Sequence, residues 1–309
     1  MTPFDEAVRA AYGQRAAVVS CTPSRYATSH PIADVVVRTP EGDTVTLLQK
    51  DVARLLPGAE AAKPSFLRDP RREPLVYREL LAGADIGSPH LVGAGDGWLL
   101  MEKVAGVELY QVGDLGVWRT VAERIAAMHL RFEGIGDLGA AARSLRLLRY
   151  DAASIDGWME RTCAALVGTP SQTWSEALRA RYGGVRDRIL SLPQTVVHGE
   201  LYASNVLVSD TMEPVRRVCP IDWETAAVGP GLVDLAALVA GAWPEHERRS
   251  IASGYLRLFP ALVPDDLEVC RLHLALQWLG WSRTWSAPPE HAHDWLAEAQ
   301  ELGERLGLT

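Results

Sequence analysis

Residues 196–208, "VVHGELYASNVLV", place a histidine, a carboxylate and an asparagine between two Val/Leu runs that favour burial. Burying a polar side chain without a partner costs a few kcal/mol, so His198, Glu200 and Asn205 must be held there by a task or by a network. A further acid, Asp222, ends the next apolar run, "RRVCPIDW" (216–223). Asn205 and Asp222 offer hard oxygen ligands of the kind that suit magnesium. Glu200, five residues before the asparagine, could take a proton from a substrate hydroxyl. A carboxylate, an Asn five residues on and an Asp closing a later strand follow the order of parts in kinase-type phosphoryl transfer.

The elements around these residues divide the chain in two. "ADVVVRT" (33–39) and "TVTLLQKD" (44–51) are β-branched and aliphatic runs separated by "PEGD", which predicts a hairpin. A second hairpin is expected over 89–104, turning at "GAGDG". Between them "REPLVYRELLAG" (72–83) has a helical face of Leu75, Val76, Leu80 and Leu81, with Pro74 in its first turn and Gly83 at its end. The first hundred residues thus read as strands with one helical interruption. After Gly106, Trp118, Val121, Ile125, Met128 and Phe132 recur at three- and four-residue steps, which predicts one buried helical stripe. Helices continue to about residue 190, three short strands follow, and the remainder from Gly231 is helical with breaks at "FPALVPDD" and "SAPPEH". The expected class is α+β, with a β-rich N-terminal lobe (1–104), a mainly helical C-terminal lobe (105–309) and a junction near 102–106.

"HGELYASN" followed by "PIDWETAAVGPGLVDLA" resembles the aminoglycoside phosphotransferase family, kin to choline kinases and, in fold, to protein kinases. The resemblance covers most of the chain. It implies an antiparallel-sheet lobe over a larger helical lobe with ATP in the cleft between them, GTP being the alternative nucleotide, and Mg2+ held by Asn205 and Asp222. Lys50, in "LLQKD", is similar to the lysine that neutralises the ATP phosphates, the alternative being a solvent-facing strand lysine. Its implied partner is Glu73, with Glu79 as the other candidate. "WLLMEKVAG" resembles the crossover between lobes, where the Glu102 carbonyl and the Val104 amide would meet the adenine edge beside Leu100 and Met101.

The phosphate-covering loop departs from the kinase pattern, for "PSRYATSHPIADV" has no glycine. Ser24, Thr28 and Ser29 could donate hydroxyls there, or form an ordinary polar turn. His198 is expected to brace the loop, with a general-base role as its alternative. Asp234 resembles the family's second acid, which supports the loop by capping a helix or bonding His198. Glu224 stands where protein kinases have glycine, and the sequence leaves it facing either metal or acceptor.

The largest departure is Glu200, where the family carries Asp. Basicity differs little between the two acids. Reach differs by about 1–1.5 Å, and misplacement on that scale can cost on the order of a hundredfold in rate. Two readings follow, an active small-molecule O-phosphotransferase or a catalytically silent nucleotide-binding protein. Retention of Lys50 and Asp222 favours the first.

The partner is expected to be a small hydroxylated acceptor, an aminoglycoside or another metabolite. The acids Asp265, Asp266, Glu268, Glu290 and Asp294 could attract a cationic one or be solvated helix faces. Trp278, Trp281 and Trp285 share a helix face that is either core or a stacking platform. His291 and His293 lack further ligands for a metal. A net charge of −8 over 309 residues argues against a nucleic-acid partner. No stretch is long and apolar enough for a membrane span, the best candidate "GLVDLAALVAGAW" containing Asp234. Four scattered cysteines and the absence of a secretory signal point to a reduced, cytoplasmic setting.

Overall fold

The computed structural model describes residues 3–25, 29–59, 63–209, 217–281 and 293–309. Both expected hairpins are present. They belong to one antiparallel sheet with strand order β1-β2-β3-β5-β4, formed by β1 (Ala17–Pro23), β2 (Ile32–Arg38), β3 (Thr44–Asp51), β4 (Leu91–Gly95) and β5 (Trp98–Glu102). Lys50 pairs with Ile32 on one side and Leu99 on the other, so it sits in the central strand of the sheet.

The sequence reading missed a helix. Residues Pro3–Tyr12 form α1, a second helix where the first hundred residues were expected to hold strands with one helical interruption. Phe4, Val8 and Tyr12 recur every four residues and make an apolar stripe. Val8 is fully buried in a small core with Val35, Val37, Leu47 and Leu100, and Phe4 meets Trp98 edge-on at 5.5 Å. α1 therefore covers the sheet face that turns away from the helical lobe.

The helix expected over 72–83 ends two residues sooner. α2 starts as a regular turn, Arg72–Leu75, and widens into a π-helical stretch, Val76–Leu81. The Ala82 N–H reaches back five residues to the Tyr77 carbonyl, and the Ala84 N–H closes the end on Leu81. Such widened turns occur often at functional sites, and this one begins three residues after Glu73.

The helical lobe begins with β6 (Val107–Glu108) and α3 (Leu115–Glu133), then α4 (Leu138–Ser144), β7 (Leu148–Arg149), α5 (Ala152–Leu166) and α6 (Gln172–Ser191). The predicted α3 stripe is all buried, Trp118 at 4%, Val121 at 0% and Ile125 at 1%, with Met128 and Phe132 behind. Next come β8 (Gln194–Val197), β9 (Val206–Ser209), β10 (Arg217–Pro220), β11 (Ala227–Pro230) and α7 (Leu232–Leu238). The chain closes with α8 (Glu245–Leu256), α9 (Pro264–Trp281) and α10 (Trp295–Arg305). Two small sheets sit under the cleft. In one, β9 pairs with β10 and β6; in the other, β11 runs between β7 and β8. β11 was not anticipated, since "AVGP" is short and carries proline. Pro230 ends the strand, where it interrupts no ladder bond.

Candidate active site

A cleft of about 1680 Å³ separates the five-stranded sheet from the helical lobe, and Lys50, Glu73, Glu200, Asn205, Asp222 and Glu224 all line it. The lysine is no solvent-facing strand residue, being only 6% exposed. Its Nζ lies 2.7 Å from Glu73 Oε2 and 2.6 Å from Asp222 Oδ1. Residues 23, 149 and 172 positions apart in the chain thus meet at one ammonium. Burial works against the Lys50 charge, but Asp222, Glu73 and Glu224 outweigh it and hold its pKa well above the usual value. Glu73 is pushed up to about 7, burial outweighing the pull of Lys50. Glu79 is exposed and paired with Arg78, so the choice between the two glutamates falls on Glu73.

The loop after β8 is built around Asp234. This fully buried carboxylate accepts from the His198 N–H at 2.7 Å and the Gly199 N–H at 2.9 Å. His129 Nε2 lies 3.1 Å from the same Oδ2, and Tyr255 Oη sits 2.8 Å from the other ring nitrogen. Asp234 is the third residue of α7 rather than its cap, so of the two supports expected it supplies the bond to His198, through the backbone N–H. Gly199 has φ +86°, and a Cβ there would drive into the Thr225 carbonyl. Only glycine makes that turn without strain.

His198 is fully buried and both ring nitrogens are engaged. Nε2 donates to the Ile221 carbonyl at 2.7 Å, while Nδ1 accepts from the Glu200 N–H at 3.3 Å. Burial lowers its pKa, which favours the neutral ring that this pattern requires. The geometry is that of a brace between the two loops, with no nitrogen left for a substrate. Asn205 completes the frame: its Nδ2 donates to the Glu200 carbonyl at 2.9 Å and its own carbonyl accepts from the Ile221 N–H at 2.9 Å. Asp222 is held in the left-handed region at φ +66°, an uncommon state for a residue with a side chain.

Glu200 reaches out of this frame. Its Oε2 accepts from the Thr225 hydroxyl at 3.1 Å and lies 3.8 Å from Lys63 Nζ. Burial is the main cause of its raised pKa, opposed by Lys63. Glu224 also lines the cleft, and its carboxylate is engaged by two cationic side chains. Lys63 Nζ donates to its Oε1, His30 Nε2 lies 3.0 Å from its Oε2, and Arg72 donates to its backbone carbonyl at 2.6 Å. Burial opposes its charge, but Lys63 and His30 hold its pKa well below the usual carboxylate range.

Lys63, His30 and Arg72 were missed by sequence reasoning. One signal could have found Lys63. Lysine occurs only three times in the 309 residues, as Lys50, Lys63 and Lys103, and all three line the cleft.

At the sheet end of the cleft, Glu102, Val104 and Met101 are in place along the crossover. The Glu102 carboxylate is taken by Arg217, with contacts of 2.7 and 2.9 Å, and this pairing holds its pKa down. Arg217 also donates to the Gly87 and Ser88 carbonyls at 2.8 Å each, which ties the sheet lobe to β10. Of the three loop hydroxyls singled out in the sequence, that of Ser29 belongs to a residue lining the cleft. Ser24 is not among the described lining residues; its N–H closes the loop onto the Ile32 carbonyl. Thr28 lies outside the described residues.

The far end of the cleft is aromatic. Phe66 meets Trp158 edge-on at 5.4 Å, Trp281 stacks on Trp158 at 5.8 Å, and the Arg161 guanidinium lies 5.5 Å over the Trp158 ring. Trp278 is stacked on Trp295 at 5.0 Å and also lines the cleft. The tryptophan face of α9 thus serves packing and cleft wall together, Trp285 lying outside the described residues. Three of the acids expected to attract a cation have other partners, while Asp265 is exposed in the first turn of α9 and does not line the cleft. Asp266 is buried against Arg188, Glu268 pairs with Arg305 at 2.9 Å, and Asp294 caps α10. Glu290 and His291 are outside the described residues, while His293 contacts Glu298.

Residues 34–273 match the family model described as "Phosphotransferase enzyme family". The chain belongs to that family. Solved structures place the fold among kinases of small molecules. A macrolide 2'-phosphotransferase from Brachybacterium faecium shares 18% identity at a TM-score of 0.59, over 96% of this chain and 98% of that one. A choline kinase from Streptococcus pneumoniae shares 13% at 0.61, over 99% of both chains, and a structure of it in complex with AMP also matches. The GDP complex of an aminoglycoside 2'-phosphotransferase shares 14% at 0.56, over 98% of this chain and 96% of that one. No curated protein matches the sequence. The two-lobed, protein-kinase-like fold expected from the motif pair is therefore that of this family. Among the described residues, no helix is long and apolar enough to cross a membrane.

Proposed function

We propose that this chain is an ATP- and Mg2+-dependent phosphotransferase acting on a hydroxyl of a small molecule, with the nucleotide held between residues 1–104 and 105–309. The observation that carries the reading is the meeting of Lys50 with both Glu73 and Asp222 in a cleft that also holds Asn205 and Glu200. An ammonium fixed by two carboxylates is a preorganised site for phosphate oxygens.

The donor set suits magnesium. Asn205 uses its amide nitrogen on the Glu200 carbonyl, which leaves its side-chain oxygen for a ligand. Asp222 contacts Lys50 through one oxygen only, and its side chain is 36% exposed. Among the described residues, no group of three or more His, Cys, Asp or Glu is arranged to hold a metal. That is in keeping with a cation which binds through one or two protein oxygens, substrate phosphates and water. Once bound, the metal would supply charge stabilisation at the phosphates.

Lys50 neutralises phosphate charge, and Glu73 keeps it aimed. The main chain at Glu102 and Val104 meets the base. The acceptor hydroxyl oxygen attacks the γ-phosphorus, the bond to the β–γ bridging oxygen breaks, and ADP leaves. The hydroxyl proton passes to the Glu200 carboxylate, whose raised pKa makes it a better acceptor near neutral pH. The acceptor lies toward Phe66 and Trp158, whose rings offer a flat apolar face. The relatives act on macrolides, choline and aminoglycosides, so fold alone does not choose among hydroxylated acceptors.

The test pairs binding with turnover. Titration calorimetry with MgATP and MgGTP, followed by ADP release against amino sugars, macrolides and amino alcohols, is expected to show nucleotide binding and one acceptor class. Glu200→Gln is expected to keep nucleotide affinity and lose about 100- to 10,000-fold in turnover. A wild-type protein that binds neither nucleotide refutes the reading; binding without turnover on any acceptor leaves a nucleotide-binding protein in its place.

A further inference from the structure

Glu200 is one methylene longer than the aspartate expected in its place, and the structure shows what stands at the end of that extra length. Lys63 is 8% exposed. Its Nζ bridges two carboxylates, in direct contact with Glu224 and 3.8 Å from Glu200 Oε2. The Thr225 hydroxyl donates to the same Oε2 from the other side, at 3.1 Å. An aspartate here would end about 1–1.5 Å short, beyond contact with the ammonium.

Lys63 and the residues that follow it are tied down by hydrogen bonds. The Lys63 N–H donates to Ala59 at 3.1 Å, and its carbonyl accepts from Arg68 Nε at 2.9 Å. Ser65–Leu67 form a turn whose Leu67 carbonyl accepts from Arg72 Nη1 at 2.9 Å. The same Nη1 donates to the Glu224 carbonyl, so one guanidinium fastens the Lys63 segment to the Asp222–Thr225 stretch. A chain that uses arginine almost throughout keeps a lysine here. The compact ammonium can sit between two carboxylates, where a planar guanidinium would need more room.

We propose that Lys63 is a positioning residue for the phosphoryl-transfer step, holding the Glu200 carboxylate at the acceptor hydroxyl, and that glutamate at 200 is the length matched to it. The inference rests on the function proposed above. Lys63 touches neither nucleotide nor acceptor in this scheme; it acts through Glu200. Loss of Lys63 frees the Glu200 side chain to leave its place, and shortening Glu200 has the same result from the other end.

The experiment uses the full-length protein with Lys63→Met, Lys63→Arg, Glu200→Asp and the Met/Asp double variant. MgATP turnover is read as ADP release, with water as acceptor and with any acceptor found in the panel. Lys63→Met is expected to lower kcat by about 10- to 100-fold with the KM for ATP within about twofold, and Lys63→Arg to recover part of the loss. Glu200→Asp is expected to cost a similar factor alone and little more in the double variant, as for residues that act as a unit. Wild-type kcat in Lys63→Met, or losses that multiply in the double variant, overturn the inference.

Removing Lys63 also leaves Glu224 short of a cation. Lys63→Met/Glu224→Gln restores charge balance, and the inference expects its stability to recover while its kcat does not. A crystal structure of Lys63→Met with Mg2+ and a non-hydrolysable ATP analogue gives an answer independent of turnover. There the Glu200 carboxylate is expected to have left Thr225; an unmoved carboxylate overturns the role of Lys63, whereas failure of the wild type to bind nucleotide overturns the proposed function instead.

Discussion

Replacing Asp234 by Asn changes one atom and should undo the loop that carries Glu200 and Asn205. Three donors converge on the carboxylate: the His198 and Gly199 N–H groups at 2.7 and 2.9 Å, and His129 Nε2 at 3.1 Å. Two of them share Oδ2 and the third has Oδ1. An asparagine can accept at one oxygen only, and its NH2 must then face a backbone N–H, that of the part-buried Gly199 or of the buried His198. At least one charge-assisted bond is lost, worth about 1.5–3 kcal/mol, and the donor left over adds its own desolvation. The expected cost is about 2–4 kcal/mol, or a fall in melting temperature of roughly 4–8 °C at about 2 °C per kcal/mol for a large domain. Asp234→Ala abandons all three donors and should cost more. Thermal and urea denaturation measure the stability, with ADP release alongside. If Asp234→Asn melts within a degree of wild type, the loop does not hang on this carboxylate and the account of how Glu200 is held is wrong.

Three further outcomes follow from the structure. Gly199→Ala should destabilise by about 1–2 kcal/mol through its left-handed φ alone, with an added clash against Thr225, and should lower kcat more than it alters ATP affinity; wild-type melting and turnover would refute it. Arg217→Ala removes four bonds between β10 and the sheet lobe and should weaken MgATP binding by about 3- to 10-fold, close to the 1.4 kcal/mol that a tenfold change represents, as read by calorimetry. His273 is buried on α9 with its Nδ1 2.7 Å from Tyr182 Oη; burial pushes its pKa down to about 3, so the unfolded chain takes up its proton below about pH 6.5 while the folded one does not. Stability should therefore fall as pH drops from about 6.5 toward 3, by about 1.6 kcal/mol between pH 6.5 and 5 from this group. His273→Gln should remove that slope, and urea titrations at the two pH values that show equal slopes for both proteins would refute it.

What could be read from the chain was whatever lies close together along it. "HGELYASN" and "PIDW" carry their order and spacing on the surface of the sequence, and the α3 stripe repeats often enough to fix a buried face. Lys50 and Glu73 were legible only through the resemblance, because nothing local says that a strand lysine will face a helix 23 positions away. Lys63, His30, Arg72 and Arg217 were not legible at all, since their partners are set by tertiary packing and their neighbours have no periodic pattern. α1 was missed for another reason: its apolar stripe has three members, too few to stand out beside "RAAYGQRAA". Glu224 could not be placed because its direction depends on Lys63.

The pairing of β6 with β9 has a mechanical outcome. Val107 lies against Val208 and Glu108 against Leu207, so the segment just past the crossover is laced to the very strand that leaves Asn205. Arg217 fastens the other side of the crossover to β10, the next strand of the same small sheet. A crossover tied on both sides to the small sheet that carries Asn205 cannot shift without that sheet, so under the proposed function the contacts at the base end and the phosphate end of the cleft would change together.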